Sequence, residues 1–217
     1  DHRVGWINRY DLSLAIDIDA HIGANPNICK AYIDLGVAPQ RVHFIEHGID
    51  PDEVNPAAYS PQTKQVIRNR LGLPPEGKVV VFVARLHPQK RPMDFVELAR
   101  RFSSDSVVTF LMVGDGPLAT QVEVEVNRLG LKNFRRLPFY RPVSDIYAIA
   151  DVIVLPSEYE AMPLVIAEAQ AMGKPVVVTD VGNNREVVEM SGGGVVVPRV
   201  GDIAALMAGV RRMLDSP

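Results

Sequence analysis

The chain has 217 residues, enough for one large domain or for one domain with part of a second. Hydrophobic residues make up 47% and charged residues 23%, an ordinary globular balance. The net charge is −3 and Lys and Arg are scattered, with no basic stripe interleaved with aromatics, which argues against a nucleic-acid partner. Cys29 is the single cysteine, so no intrachain disulfide can form and a reducing, cytoplasmic setting is expected. No apolar run approaches the roughly 18 residues of a membrane-spanning helix.

Residues 12–18 and 42–45 read as strands, and residues 25–35 as a helix with Pro26 in its first turn. Residues 50–62 contain Pro51, Pro56 and Pro61 and read as a connector. A short helix is expected over 63–71, ended by Gly72 and Pro74-Pro75. Two strands and a helix are too little to stand alone. Residues 1–50 are therefore expected to be the tail of a preceding domain whose start is absent. The chain opens at Asp1 without Met or a signal-like segment, which fits a part of a longer protein.

From residue 78 onward the pattern becomes regular. Continuous apolar, β-branched runs occur at 79–83, 107–113, 152–155, 175–178 and 194–197, with a weaker one at 134–137. Strands covered on both faces read this way. Helices are expected between them at 92–102, 118–129, 143–150, 163–172 and 202–214. The alternation predicts right-handed βαβ crossovers and a Rossmann-like, doubly wound α/β domain. Its parallel sheet should have about six strands. The division is thus 1–50, a connector with a short helix over 51–77, and the Rossmann-like domain over 78–217.

Four polar loops follow strands, and so share one edge of the sheet. In 156–162 and the helix after it, Glu160 and Glu168 stand eight positions apart around an apolar run. Pro163 is placed to be the first helical residue, because its missing N–H would be unpaired anyway. Glu168 sits in an apolar helix, so it requires a cationic or hydrogen-bonding partner or a polar cavity. A sugar diol would suit it; an ion pair with Arg185 or Lys90 is the structural alternative, about equally weighted. Glu160 has the simpler reading of a solvated loop carboxylate near a helix start. Arg85 and Lys90 flank a second loop and could hold a diphosphate, although a solvated loop is about twice as common for such a segment. Gly114-Asp115-Gly116 alone is more often a turn than a ligand loop. In the loop 179–186, Arg185 and Glu186 could simply pair. No GxxxxGK[ST] or GxGxxG occurs, and no metal-ligand spacing, so no metal site is expected.

In this order the motifs resemble the GT-B-fold retaining glycosyltransferases of the E-x7-E, group 1 type (glycosyltransferase family 4), over about residues 34–214. Ile45 to Asp50 resembles the IPNGVD segment that closes the first domain. Ala84-Arg85-Leu86 with Lys90 resembles GRL-x3-K. Val113 to Leu118 resembles VGDGP. Glu160-Ala161-Met162-Pro163-Leu164 through Glu168-Ala169 resembles EG-x-P-x4-EA. The resemblance implies a nucleotide-sugar donor site without metal or cofactor. Arg85 and Lys90 would hold the diphosphate, Glu168 the ribose hydroxyls, and Glu160 would face the sugar. Amides near Ala161, Met162, Pro163, Leu164 and Val165 would meet sugar or phosphate. Gly114 and Gly116 would let the backbone approach, and the base would lie near Leu137, Phe139 and Arg141. A carbohydrate or lipid-linked acceptor would be met by the domain preceding residue 51, as would any peripheral membrane contact of a longer protein. The chain alone is expected to bind donor and transfer little. Ala84 and Ala161 stand where the family usually has Gly. A sugar-nucleotide epimerase of similar fold and a non-catalytic nucleotide-sugar-binding subunit are the alternative readings.

Overall fold

The computed structural model describes Ser13 and residues 17–215. The strand expected over 12–18 lies largely outside the described residues. A small βαβ piece comes first: β1 (His21–Gly23), α1 (Pro26–Asp34) and β2 (Val42–Phe44), with the two strands parallel. Tyr32 and Val37 form its core, with Ile28, Ala31 and Val42 packed around them. Asn25 starts α1. Its side-chain oxygen accepts from the Ile28 amide at 2.9 Å, and Pro26 occupies the first turn.

The connector leads into α2 (Pro61–Arg70), capped by Ser60. The helix begins two residues earlier than the sequence suggests, because Pro61 lies inside its first turn rather than in the connector. Six parallel strands follow: β3 (Lys78–Val83), β4 (Val108–Val113), β5 (Phe134–Leu137), β6 (Val152–Leu155), β7 (Val176–Thr179) and β8 (Gly194–Val197). Their order is β5-β4-β3-β6-β7-β8, the doubly wound arrangement. The helices are α3 (Pro92–Arg101), α4 (Ala119–Leu129), α5 (Val143–Ile149), α6 (Leu164–Ala171), α7 (Asn184–Ser191) and α8 (Ile203–Asp215).

The apolar runs are continuous because successive residues serve two cores. Val79, Val81, Ile153, Leu155, Val176 and Val178 point to one face, where α5 and α6 lie. Val80, Phe82, Val152, Val154 and Val177 point to the other, where Phe95 and Leu98 of α3 and Leu206 and Val210 of α8 pack. Phe95 sits 5.4 Å, centroid to centroid, from both Phe82 and Phe110. Removing such a ring costs about 3–5 kcal/mol.

Two local expectations change. Pro163 has extended backbone and is the N-cap of α6, so the helix starts at Leu164. Residues 184–191 form the helix α7 inside and beyond what reads as a loop, with the buried Asn184 donating to Thr179 O at 3.0 Å.

Candidate functional site

The chain leaves β3 toward β4 on one side and reaches β6 on the other, so the strand order reverses between β3 and β6. The loops after these two strands splay apart at their C-terminal ends, where open α/β sheets take ligands. A cleft of about 940 Å³ opens there, within the span typical of small-molecule sites. Arg85, Gly114, Phe139 and Glu168 all line it.

Arg85 is exposed, and its side chain makes no ion pair or hydrogen bond among the described residues. Its charge is available to whatever enters. Glu168 is half-buried, and one of its oxygens accepts from the Tyr147 hydroxyl at 2.6 Å. Neither Arg185 nor Lys90 is its partner. Tyr147 is fully buried in α5, and burial, then the Glu168 carboxylate, pushes its phenol far up. The phenol stays a donor, and so fixes one carboxylate oxygen while the other can face the cleft.

Glu160 is not a solvated loop carboxylate. It is 5% exposed, and one oxygen accepts from Lys90 Nζ and from Ser157 Oγ, each at 2.5 Å. Lys90 therefore ties the loop after β3 to the loop after β6. Gln89 reinforces that tie, donating to Tyr159 O at 2.9 Å and accepting from the Glu158 amide at 2.8 Å. Neither Lys90 nor Glu160 belongs to the cleft wall; the pair stands beside it, joining the two loops that frame it.

The glycines act through close approach. A Cβ on Gly114 would stand 1.9 Å from Ala84 O, and one on Gly116 2.7 Å from Leu86 O. Both have positive φ. The loop after β4 thereby seats the Arg85 loop: the Leu86 amide donates to Asp115 O at 2.8 Å and the Leu118 amide to Leu86 O at 3.0 Å. Gly116 supports the cleft without lining it. Leu137 turns its side chain into the core, and its carbonyl accepts from the Gly114 amide at 2.9 Å. Phe139 is 72% exposed, with the Arg141 guanidinium 5.6 Å from its ring centre.

Ala161, Met162, Pro163, Leu164 and Val165 lie outside the cleft wall. Ala161 O accepts from Asn25 Nδ2 at 2.9 Å, and Met162 Sδ from the His47 amide at 3.4 Å, so this loop meets the small N-terminal piece. The first two amides of α6, those of Leu164 and Val165, have no partner within their helix, while that of Ile166 donates to Pro163 O at 3.1 Å. Arg185 pairs with Asp180 at 2.6 Å and with Glu189 at 3.1 Å, not with Glu186.

The connector supplies wall residues that its proline-rich sequence did not signal: Asp52, Glu53, Asn55 and Tyr59. Tyr59 OH lies 2.9 Å from Ser144 Oγ and 3.1 Å from Asp145 Oδ1. Asp145 is buried and also accepts from Tyr140 OH at 2.8 Å and Arg70 Nη2 at 3.0 Å. Burial, then the Asp145 hydrogen bond, pushes the Tyr140 phenol up to about 12. Among the described residues no group of His, Cys, Asp or Glu could hold a metal ion.

Fold and cleft together define a doubly wound α/β protein with a cleft at the switch point of its sheet. The chain belongs to the family described as glycosyl transferases group 1, whose sequence profile matches residues 63–217. It is 32% identical over 187 residues to the UDP-Gal:alpha-D-GlcNAc-diphosphoundecaprenol alpha-1,3-galactosyltransferase of Escherichia coli, covering 84% of this chain and 47% of that one. The 2-deoxystreptamine glucosyltransferase of Streptomyces kanamyceticus is 31% identical, over 85% of this chain and 48% of its own. The chain thus spans about half the length of these curated relatives. Among solved structures, Anabaena HepE in complex with UDP and glucose superposes with a TM-score of 0.83 at 22% identity, over 100% of this chain and 61% of that chain. A glycosyltransferase from Rickettsia africae gives 0.82 at 19%, over 94% and 57%. The fold is that of the GT-B glycosyltransferases. No described helix is long and apolar enough to cross a membrane.

Proposed function

We propose that this chain is the donor-binding half of a retaining glycosyltransferase that moves a sugar from a nucleoside diphosphate sugar to an acceptor. The observation that carries the reading is the shared cleft: an unpaired Arg85 guanidinium and a Tyr147-held Glu168 carboxylate line one cavity at the switch point. A carboxylate with one oxygen anchored can accept from ribose hydroxyls with the other. A guanidinium fork matches the geometry of a diphosphate.

In this reading Arg85 holds the diphosphate as the bond from the anomeric carbon to the phosphate oxygen breaks, and stabilises the negative charge on the departing nucleotide. Lys90 retains donors beyond the one used on Glu160 and adds charge from the side. The leading amides of α6 contribute the positive end of a helix dipole. Phe139 offers an exposed ring for the base, and Glu160 sits next to the transferred sugar. No metal is needed to neutralise the diphosphate. Residues 1–50 are read as the end of the acceptor-binding domain and 51–77 as the connector. The E. coli relative's name includes a UDP-sugar donor and a lipid-linked acceptor, which makes UDP the first nucleotide to try and a lipid-linked or carbohydrate acceptor the first class. A cytoplasmic site of action, with peripheral membrane contact made through the acceptor domain, follows from the same reading.

Calorimetric titration with UDP, GDP and ADP tests it. One nucleotide should saturate, and both Arg85→Ala and Glu168→Ala should weaken it at least tenfold. A folded chain that binds none of the three, or binds one equally well in both variants, would sink the assignment. Donor plus acceptor should give no transfer with the chain alone, because acceptor groups are expected from outside it. A protein including the first domain that altered the sugar of its donor without any acceptor would point instead to an epimerase.

A further inference from the structure

A second pocket, of about 470 Å³, opens at the opposite, N-terminal edge of the sheet. We propose that it binds a small anion bearing a phosphate group, separate from the ligand of the cleft. Four cations line it, Lys64 and Arg68 of α2, Lys78 at the start of β3, and Lys174 before β7, against one carboxylate, Asp151.

The single carboxylate is already used. Asp151 Oδ2 accepts from the Val79 amide at 2.8 Å, and Oδ1 pairs with Lys78 at 3.1 Å. Arg68 is steered into the pocket by three carbonyls, donating to Pro74 O at 2.9 Å and to Glu76 O and Gly77 O at 3.0 Å each. Carbonyls orient the guanidinium without cancelling its charge. Lys174 is half-buried and donates to Ala148 O at 3.1 Å. Closing the end of α5 in this way accounts for one of its three donors. The Lys64 side chain makes no hydrogen bond or ion pair among the described residues.

Burial, and then the neighbouring Lys64 charge, pull the Lys174 ammonium below its ordinary range. Lys64, Arg68 and Lys174 thus line one pocket, and Asp151, which offsets part of the Lys174 shift, is already shared by the Val79 amide and Lys78. An anion placed among the three cations offsets their repulsion. A phosphate suits the set, since it offers several oxygens to the remaining Nη1 donors of Arg68 and to the ammonium point charges together. The pocket exceeds what inorganic phosphate fills. Ala148, Ile149 and Ala150, whose side chains are buried in the core, close one side of it.

Amide and lysine-ammonium NMR shifts, followed while the chain is titrated with inorganic phosphate and then pyrophosphate at constant ionic strength, test this. Saturable shifts are expected at residues 77–78, 148–151 and 174. Lys64→Gln should weaken the binding about fivefold, the upper range for one partly exposed charge, and Lys64→Gln with Lys174→Gln should abolish it. Lys132→Gln, an exposed lysine elsewhere, should leave it unchanged. Lys64→Gln breaks no contact, so it reports even if the double variant folds poorly. Shifts that fail to saturate, or that persist in Lys64→Gln as strongly as in Lys132→Gln, would overturn the proposal. UDP titrated into the phosphate-loaded chain should shift the amides of Ala84, Arg85 and Gly114 without displacing phosphate. Failure of that shift would count against the donor cleft alone, while displacement of phosphate would count against a separate second site. Vesicles of phosphatidylcholine with phosphatidic acid present the same group on a surface. Sedimentation with them, in the absence of any effect of free phosphate, would refute a small ligand.

Discussion

The Tyr147 hydroxyl and a Glu168 oxygen lie 2.6 Å apart, joining a fully buried residue of α5 to the carboxylate that lines the cleft. The bond does what the apolar sequence around Glu168 requires: it satisfies a partly buried charge and orients it. Tyr147→Phe keeps the ring and its packing and deletes only the donor. A hydrogen bond to a charged group is worth about 1.5–3 kcal/mol. The variant should weaken nucleotide binding about tenfold, a difference of about 1.4 kcal/mol. It should also reduce the preference for a ribonucleotide over its 2′-deoxy form. Loss of stability with that preference unchanged would make Tyr147 purely structural.

Lys90 and Glu160 form the second such relationship, with Ser157 as the third member. Breaking a buried pair by removing one partner costs about 3–5 kcal/mol, and Lys90 is one-fifth exposed. Glu160→Leu is therefore expected near the lower end, about 3 kcal/mol. Lys90→Met with Glu160→Leu should recover part of the loss, because neither charge is then stranded. Urea midpoints of Lys90→Met, Glu160→Leu and the double variant give the coupling. Additive losses would mean that the two side chains do not stabilise each other.

How the sequence revealed the sheet and not this pair has a physical explanation. Runs such as 79–83 and 152–155 are apolar at every position because alternate residues feed opposite cores, a local signal that needs no long-range contact. Glu168 was legible for a similar reason, since an acid within an apolar helix is locally unusual, whereas the Arg85 segment by itself reads more readily as a solvated loop and stood out through the family resemblance. Glu160 looked solvated because its partner comes from seventy positions earlier and becomes its neighbour only once β3 and β6 pair. The connector gave no hint that Tyr59 faces the cleft, since its prolines speak only of turns. Helix α7 was hidden because it starts in polar Asn184-Arg185-Glu186 and buries little beyond Asn184 and Val188.

Gly114 gives a sharper stability test than most loop glycines. An added Cβ would lie 1.9 Å from Ala84 O, so backbone must move in the loop that carries Arg85. Gly72 also has positive φ but faces open space. Gly72→Ala should cost only the left-handed penalty of about 1–2 kcal/mol. Gly114→Ala should cost about 4 kcal/mol or more, the range in which a specific clash is diagnosed, and should weaken nucleotide binding further than its stability loss predicts. Similar melting temperatures for the two variants would refute the close approach as the reason for this glycine.

The cluster around Asp145 sets an alkaline limit. Tyr140 donates to Asp145, and burial followed by that bond pushes its phenol up to about 12. Tyr59 is raised as well, chiefly by burial, while Arg70 sits opposite and acts the other way on Tyr140. In the unfolded chain the phenol ionises near about 10. A pKa raised by folding stabilises fully below that value and loses its contribution as pH climbs through the folded value. Stability should thus fall between about pH 10 and about pH 12, and Tyr140→Phe should flatten the fall. Urea midpoints across that window, with phenolate absorbance followed in parallel, test both parts. Tyr140 ionising at the ordinary phenol value in the folded chain would remove the cause, and an equally steep fall in Tyr140→Phe would assign it to other groups.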